Sequence, residues 1–166
     1  MTLHNRAFVY QINISNGGVP KRPIEQAYIS GEGVDGDKQR NRVLHSGADH
    51  ALCLYSLELI EALRREGHSI APGSSGENFT ISGLDWSILQ PGDQLHIGDS
   101  VHIEMTHYAV PCRYNAQWFL RKDYKRISHK VHPGWSRIYA KVLAEGPVQR
   151  GDAVFIEVPR SMEIQV

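Results

Sequence analysis

The sequence predicts a mainly β fold, a closed or nearly closed β-barrel with a few peripheral helices. Short segments alternate apolar and polar residues, as in Q-L-H-I at 94–97 and V-H-I-E-M at 101–105. Such alternation places one set of side chains on each face of a sheet. The dipeptide Gly-Asp recurs as a turn signal at 92–93, 98–99 and 151–152, and turns of this kind join antiparallel strands. Repeated hairpins with few helices are typical of a barrel.

The remaining elements follow from local pattern. Strands are expected over 7–15, 26–30, 51–55, 137–144 and 153–158. A helix over 57–66 has Ser56 as its N-cap and Gly67 at its C-terminal end. The residues expected to point into the barrel are Phe79, Ile81, Leu95, Ile97, Val101, Ile103, Met105, Ile138, Ala140, Val154 and Ile156.

Composition narrows the functional class. The 166 residues suit one domain spanning 1–166, and 18 basic residues balance 18 acidic ones. Without a polybasic run, nucleic-acid binding is not expected. No apolar run is long enough for a membrane span, and the N-terminal residues lack the apolar core of a signal peptide. Two cysteines do not make a disulfide framework, so we expect a reducing, cytoplasmic setting.

The segment from Val101 to Phe119 contains the residue with the clearest chemical potential. Its first half has the pattern of a strand that Pro111 ends, because proline has no N–H for a ladder. After it, Ala116, Phe119, Leu120 and Tyr124 have the spacing of one helix face. Cys112 therefore lies between a strand and a predicted helix N-terminus, with Arg113 adjacent. Both features favour a thiolate that attacks or binds metal. The alternative, a buried cysteine that acts as a small apolar residue, stays open.

The other cysteine and the longest irregular segment have different characters. Cys53 lies in the apolar run A-L-C-L-Y and is expected in the core. Residues 30–50 are rich in glycine and basic residues and show little periodicity, which favours a functional loop. Its backbone N–H groups, with Lys38, Arg40 and Arg42, are suited to an anion. We expect residues 31–49 to line the same pocket as Cys112.

Several motifs together resemble the MOSC domain, named after the C-terminal domain of molybdenum-cofactor sulfurases. These motifs are V-D-G-D-K-Q and H-S-G-A-D-H-A-L between residues 34 and 52, P-G-S-S-G-E-N-F-T-I-S-G-L at 72–84, P-G-D-Q-L-H-I-G at 91–98, P-C-R at 111–113, and the ending R-I-Y-A-K-V-L-A-E-G-P-V-Q-R-G-D at 137–152. Each motif alone is modest, and their order and spacing together are specific. Stand-alone bacterial members of similar length have the same layout.

The resemblance implies a role for Cys112 as the functional cysteine. In this family it is thought to carry sulfur as a persulfide or to bind the metal of the molybdenum cofactor, and related members reduce N-hydroxylated compounds. A soft thiolate suits such a metal. As cofactor-binding candidates we take Lys38, Arg40, Arg42, His45, Asp49, Asn78 and Arg113, with Cys112 as the catalytic residue and metal ligand.

Two departures from the family pattern bear on these expectations. The chain has His45-Ser46-Gly47 where the family often has His-Gly-Gly, and serine does not replace a glycine-only conformation cheaply. Within these 166 residues we expect neither the extra N-terminal barrel of larger relatives nor a PLP-dependent desulfurase domain. A separate PLP-dependent cysteine desulfurase is the expected sulfur donor, and a reductase activity would need an electron-transfer partner.

Three functions remain open at this point. One is a molybdenum-dependent reductase with Cys112 on the metal, and another is a sulfur-carrier module that uses the same cysteine. The third is a zinc site built from His107, Cys112, His129 and His132, since cysteine and histidine suit zinc, although their spacing matches no common zinc motif. A serine hydrolase is a poor fit because the G-x-S-x-G elbow is absent, and G-E-G-V-D-G is only superficially similar to a dinucleotide-binding fingerprint.

Overall fold

The regular structure of this computed structural model is mainly β and is described for residues 6–38 and 47–157. The strands are β1 (Phe8–Ile14), β2 (Arg22–Ile24), β3 (Gln26–Ser30), β4 (Gly33–Val34), β5 (Leu52–Ser56), β6 (Phe79–Ser82), β7 (Gln94–Ile97), β8 (Val101–Tyr108), β9 (Ile138–Ala144), β10 (Gly146–Gln149) and β11 (Val154–Ile156). One α-helix, α1 (Leu57–Arg65), and short 3-10 helices at Ala48–His50, Arg113–Trp118, Leu120–Lys122 and Tyr124–Ile127 complete it. Within these ranges, no helix combines the length and apolar character needed to cross a bilayer.

The strands form one large and one small sheet. The large sheet has the order β11-β7-β8-β9-β5-β6-β1-β2, and the small one has the order β10-β3-β4. Strands β7 and β8 form the antiparallel hairpin that the Gly98-Asp99 turn predicts, and β9 pairs antiparallel with β8 after a long connection. Strand β5 pairs parallel with β6, because α1 carries the chain back across the sheet between them. The sequence did not predict that parallel pair.

The barrel part of the predicted fold is not confirmed, because neither sheet closes on itself within residues 6–38 and 47–157. The edge of β1 opposite β6 is shared between two neighbours. Its second half pairs with β2, while Phe8 makes only an isolated bridge to Ala153. Single backbone bonds from Val9 to Asp152 and from Val154 to Ala7, each 2.9 Å, accompany that bridge. The sheet therefore curls until its ends touch, without a continuous ladder between β1 and β11.

The predicted core is confirmed for most of its members. Ten of the 11 residues expected to point inward are buried, and Ile156 is partly buried. They join one apolar cluster with the buried face of α1, where Ile60 and Leu63 are fully covered. Helix α1 begins as predicted, since the Ser56 hydroxyl accepts the Leu59 N–H at 3.2 Å. This cluster holds β5, β8 and β9, the strands that carry the candidate site.

The helix expected after Pro111 is the second correction. Three separate 3-10 helices occupy residues 113–127 instead of one α-helix. Tertiary hydrogen bonds take the backbone groups that a longer helix would use: the Trp118 carbonyl accepts the Ser69 N–H, and the Leu120 N–H donates to His68 Nδ1. Arg121 and Lys122 then adopt positive φ angles of 54° and 57°, which interrupt any helical run. The predicted apolar face is correspondingly split, with Phe119 buried and Leu120 exposed.

We predict that Gly33→Ala destabilises the fold far more than Gly92→Ala. Both glycines have positive φ, 117° and 96°, so each alanine adds about 1 kcal/mol of backbone strain. A Cβ on Gly33 would also lie 2.3 Å from the Ala51 carbonyl oxygen, whereas a Cβ on Gly92 meets nothing within 4 Å. Urea unfolding should show an additional loss of about 1–3 kcal/mol for Gly33→Ala. Equal losses in the two variants would contradict the contact.

Candidate functional site around Cys112

Cys112 lies where β8 has ended and the chain turns into the 3-10 helix Arg113–Trp118. Its backbone is extended, with φ −100° and ψ 140°, and its carbonyl accepts the Asn115 N–H at 2.9 Å. The thiol is free and partly exposed, and it makes no capping hydrogen bond to the helix. Arg113 is exposed beside it, with its guanidinium carbon 5.4 Å from the centre of the Tyr114 ring. The structure therefore offers an accessible thiol next to a cation.

A buried arginine fixes the segment that leads to Cys112. Arg137 is 5% exposed, and its Nη1 donates to the Ser75 carbonyl oxygen at 2.7 Å. Its Nη2 donates to the Val110 carbonyl oxygen at 3.3 Å. Asn115, also buried, donates from Nδ2 to the same Ser75 carbonyl at 3.3 Å. The loop 72–78 and the segment around Cys112 are thus tied together through one carbonyl group.

The same neighbourhood contains polar atoms whose bonding capacity is unused. Among the residues that the structure describes, the buried atoms here that lack a hydrogen-bond partner are Ser75 Oγ, Glu77 Oε2, Asn115 Oδ1 and Arg137 Nε. We call these four residues the polar bed. The Arg137 side chain also interacts with the Cys53 thiol. Buried polar groups are almost always paired, so unpaired ones signal a bound water, ion or ligand group. The polar bed therefore offers both donors and acceptors beneath the segment that carries Cys112.

The carboxyl group of Glu77 contributes less negative charge to the polar bed than a glutamate usually would. Its carboxylate is fully buried, and burial raises the pKa of Glu77 to about 8, against the pull of its hydrogen bond from Gly73 and of Arg137. At neutral pH the carboxyl group is mostly protonated, so Arg137 is left with a net positive charge. That charge favours an anionic group nearby.

Cys53 is the core cysteine that its apolar run predicts. It is 5% exposed, and burial raises the pKa of its thiol to about 11, although Arg137 opposes the shift. Its N–H donates to Asn78 Oδ1 at 3.0 Å, and the Asn78 N–H donates to its carbonyl at 2.7 Å. The two thiols of the chain therefore have opposite surroundings, one buried and one accessible.

Aromatic side chains connect the neighbourhood of Cys53 with a cavity. Tyr139 is directly opposite Cys53 in the β5–β9 pair. Burial raises the pKa of Tyr139 to about 12, and the charges of Cys53 and Cys112 act in the same direction. The His50 ring meets Tyr139 edge-on at 4.6 Å and His107 at 4.9 Å. His50 also lines a cavity of about 520 Å³.

The cavity is formed by the glycine-rich loop. Its lining residues run from Ser30 to Lys38 and include Gly47, Ala48 and His50. Cys112 is not among them, so the proposal that one pocket contains both remains a prediction. Lys38 does line the cavity, together with Glu32, Asp35 and Asp37, and Asp37 is already paired with Lys21 at 2.6 Å.

The other predicted cofactor-binding residues are dispersed. Asn78 is 2% exposed and donates from Nδ2 to Asp37 Oδ2 at 2.9 Å, so it ties the loop to β5. Asp49 is exposed in the helix Ala48–His50, where its carbonyl accepts the Thr106 hydroxyl. Arg40, Arg42 and His45 lie outside the described residues. The cofactor roles of all these residues remain predictions.

The predicted zinc ligands are not brought together. His129 stacks on the Tyr108 ring at 3.6 Å, and its Nδ1 accepts the Gly134 N–H. His107 packs instead against His50. Across residues 6–38 and 47–157, the one group of three convergent histidine, cysteine or carboxylate ligands is His96, His102 and Glu157, which includes neither Cys112 nor His132.

Sequence reasoning missed the polar bed. Ser75 and Glu77 fall within the MOSC-like motif at 72–84, but a serine and a glutamate beside a glycine-rich turn have the pattern of surface residues. Arg137 immediately precedes a strand, and nothing in its local pattern indicates that its side chain is buried. The only available signal was the excess of polar residues next to buried strands.

Comparisons with known proteins agree with the sequence resemblance. A family model described as the MOSC domain matches residues 41–155. The YflK protein of Bacillus subtilis is 31% identical over an alignment of 139 positions, gaps included, that covers 81% of this chain and 60% of YflK, so the chain spans less than two thirds of that relative. The YiiM protein of Escherichia coli is 27% identical over an alignment of 175 positions, gaps included, that covers 95% of this chain and 75% of YiiM. The crystal structure of the YUAD protein from B. subtilis shares the fold, with a TM-score of 0.75, 16% identity and coverage of 93% and 97%.

We predict that alkylation separates the two thiols. At about pH 8, the Cys53→Ser variant should be alkylated quickly, at Cys112. The Cys112→Ser variant should be alkylated at Cys53 only as the protein unfolds, because a buried thiol with a raised pKa provides little thiolate. Cys53→Ser should lose about 1–3 kcal/mol of stability by burying a hydroxyl, whereas Cys112→Ser should melt like the wild type. Equally slow alkylation of both native thiols would contradict this assignment.

Glu77 should give the protein a specific pH dependence. Its pKa is about 8 in the folded protein and about 4.5 for a glutamate in water, so the unfolded chain releases its proton first as the pH rises. The free energy of unfolding should therefore fall between about pH 4.5 and pH 8, by up to about 1.4 kcal/mol per pH unit. Glu77→Gln, which keeps an oxygen for the Gly73 N–H, should lack this component in urea unfolding. Identical pH profiles for both proteins would argue against a protonated Glu77.

Proposed function

The chain belongs to the MOSC domain family, and we propose that it binds the molybdenum cofactor with the Cys112 thiolate on the metal and reduces N-hydroxylated compounds. The observation that carries this proposal is the polar bed. Its unpaired donors and acceptors belong to buried residues, two of which, Asn115 and Arg137, hold in place the segment with the one accessible thiol of the described chain. Molybdenum suits a soft thiolate ligand, and a pterin with its phosphate provides the hydrogen-bonding edges and negative charge that such surroundings favour.

Each residue has a separate task in this proposal. Cys112 holds the metal through its sulfur, and the bonds from Arg137 to the Val110 carbonyl and from Asn115 to Ser75 keep the thiol in place. Arg113 adds an exposed positive charge beside the thiol. When bound, the cofactor supplies two-electron chemistry at the metal. The electrons would come from a separate electron-transfer partner.

A second candidate uses the same thiol without a metal. Cys112 would accept sulfur from a separate PLP-dependent cysteine desulfurase and carry it as a persulfide. The Cys112 thiolate attacks the outer sulfur of the donor persulfide, the new S–S bond forms, and the donor cysteine leaves as a thiolate. The surface beside Cys112 supports this alternative, since Val110 and Tyr114 are 80% and 45% exposed and provide apolar area for a protein partner.

Metal and pterin analysis of protein made in a host with an intact cofactor pathway should distinguish the two. We expect molybdenum and pterin in the wild type, loss of both in Cys112→Ser, and retention in Cys53→Ala, with thermal melts to confirm folding. The wild type, supplied with reduced electron carrier, should then reduce a hydroxylamine-type substrate.

Other outcomes are equally informative. Labile sulfur on Cys112, without molybdenum, would favour the carrier. Full molybdenum content in Cys112→Ser would remove this residue from the metal, and neither molybdenum nor sulfur on Cys112 would contradict both functions.

A further inference from the structure

We propose that His96, His102 and Glu157 form a binding site for a divalent transition metal such as Zn²⁺, separate from the Cys112 site. The two imidazole Nε2 atoms lie 3.1 Å and 3.0 Å from the same carboxylate oxygen, Glu157 Oε2. All three ligand atoms lie within 4.8 Å of one another. Two histidines and one glutamate are a common donor set for zinc, with further positions open to water.

The sheet itself brings the three residues together. His96 and His102 are directly opposite each other in the β7–β8 hairpin, and their rings stack at 4.1 Å with an angle of 12° between them. Strand β11 pairs with β7 so that Phe155 faces His96. Glu157 is two residues further along and therefore on the same face as Phe155, diagonal to His96. Its N–H bonds to the Gln94 carbonyl at 2.9 Å, which fixes the backbone of the third ligand.

One ligand atom is left without a satisfactory partner. His102 Nε2 is buried and makes no hydrogen bond of acceptable geometry, although Glu157 Oε2 is only 3.0 Å away. A simple ion pair would be expected to align that contact, as buried polar atoms normally are. A metal ion placed between the groups would use both the nitrogen and the oxygen, at bond lengths of about 2.0–2.2 Å. The stacked rings would tilt apart to aim their lone pairs at it.

The surrounding charges favour a cation. Glu104 is on the outer face of β8, two residues from His102, and the Lys141 ammonium group pairs with it at 2.8 Å. Gln94 also donates to Glu104, at 3.2 Å. Lys141 is therefore engaged with Glu104, and Glu157 remains available to bind a metal together with the two imidazoles.

The consequence of metal binding would be structural. The ligands come from β8, β7 and the chain just after β11, which are three neighbours at one edge of the large sheet. A metal would join that short edge strand to the hairpin. His102 is near the start of β8, and Cys112 follows the end of it, about 20 Å further along by strand rise. The metal site is therefore independent of the chemistry at Cys112.

The test is a Zn²⁺ titration of chelator-treated protein in a Cys112→Ser background, which removes the exposed thiol as a competing ligand. Calorimetry should show one saturable Zn²⁺ per chain, and thermal unfolding should shift upward with Zn²⁺. His96→Gln with His102→Gln should weaken binding by on the order of tenfold or more and abolish the thermal shift. The matched control, His129→Gln with His132→Gln, should leave both unchanged.

Two further measurements keep the test decisive. Glu157→Gln should also weaken binding, because an amide is a poorer ligand than a carboxylate. Co²⁺ should give visible bands of a nitrogen- and oxygen-ligated ion that disappear in the His96/His102 double variant. The proposal is overturned if no saturable binding occurs, or if binding and the thermal shift survive in the double variant.

Discussion

The buried guanidinium of Arg137 is the interaction on which the Cys112 region depends. It bonds to the Ser75 and Val110 carbonyls, and so it fixes the distance between the loop 72–78 and the end of β8. Hydrogen bonds to charged groups are stronger than neutral ones, and losing one here would leave a buried charge unpaired. The position of Cys112 is therefore set from inside the protein, by a residue that is itself almost inaccessible.

Burying a positive charge costs free energy unless negative or dipolar groups lie close to it. For Arg137, carbonyl oxygens provide part of this compensation, whereas Glu77 is mostly protonated near neutral pH and provides little. Cys53 lies close to this charge, yet desolvation dominates there and raises the pKa of its thiol to about 11. The two cysteines differ plainly in solvent access, since Cys53 is buried and Cys112 is partly exposed.

Most strands and the different burial of the two cysteines could be predicted from sequence, whereas the predicted barrel closure is not confirmed. Alternation at Leu95, Ile97 and Ile103 reports which face is buried, because the period of a strand is a local property. Closure of the sheet depends on pairing between strands at its two edges, which are far apart in the sequence. Phe8 forms an isolated bridge to Ala153 there instead of a ladder. The helix predicted after Pro111 was wrong for a related reason, because His68 and Ser69 form hydrogen bonds with backbone groups that a helix would have used. The burial of Arg137 is likewise decided by a loop about 60 residues earlier in the chain.

A metal bound by His96, His102 and Glu157 would stabilise the edge of the large sheet. Strand β11 has three residues and forms a ladder with β7, while on its other side Val154 donates a single backbone bond to Ala7. Its exposed Phe155 adds an apolar group to this weakly paired edge, an arrangement that favours pairing with other chains. Ligands drawn from both sides of the β7–β11 pair would secure the strand without extending the sheet. A metal ion at that edge would then stabilise the sheet near the start of β8. Any chemistry of the Cys112 thiol would take place beyond the other end of the same strand.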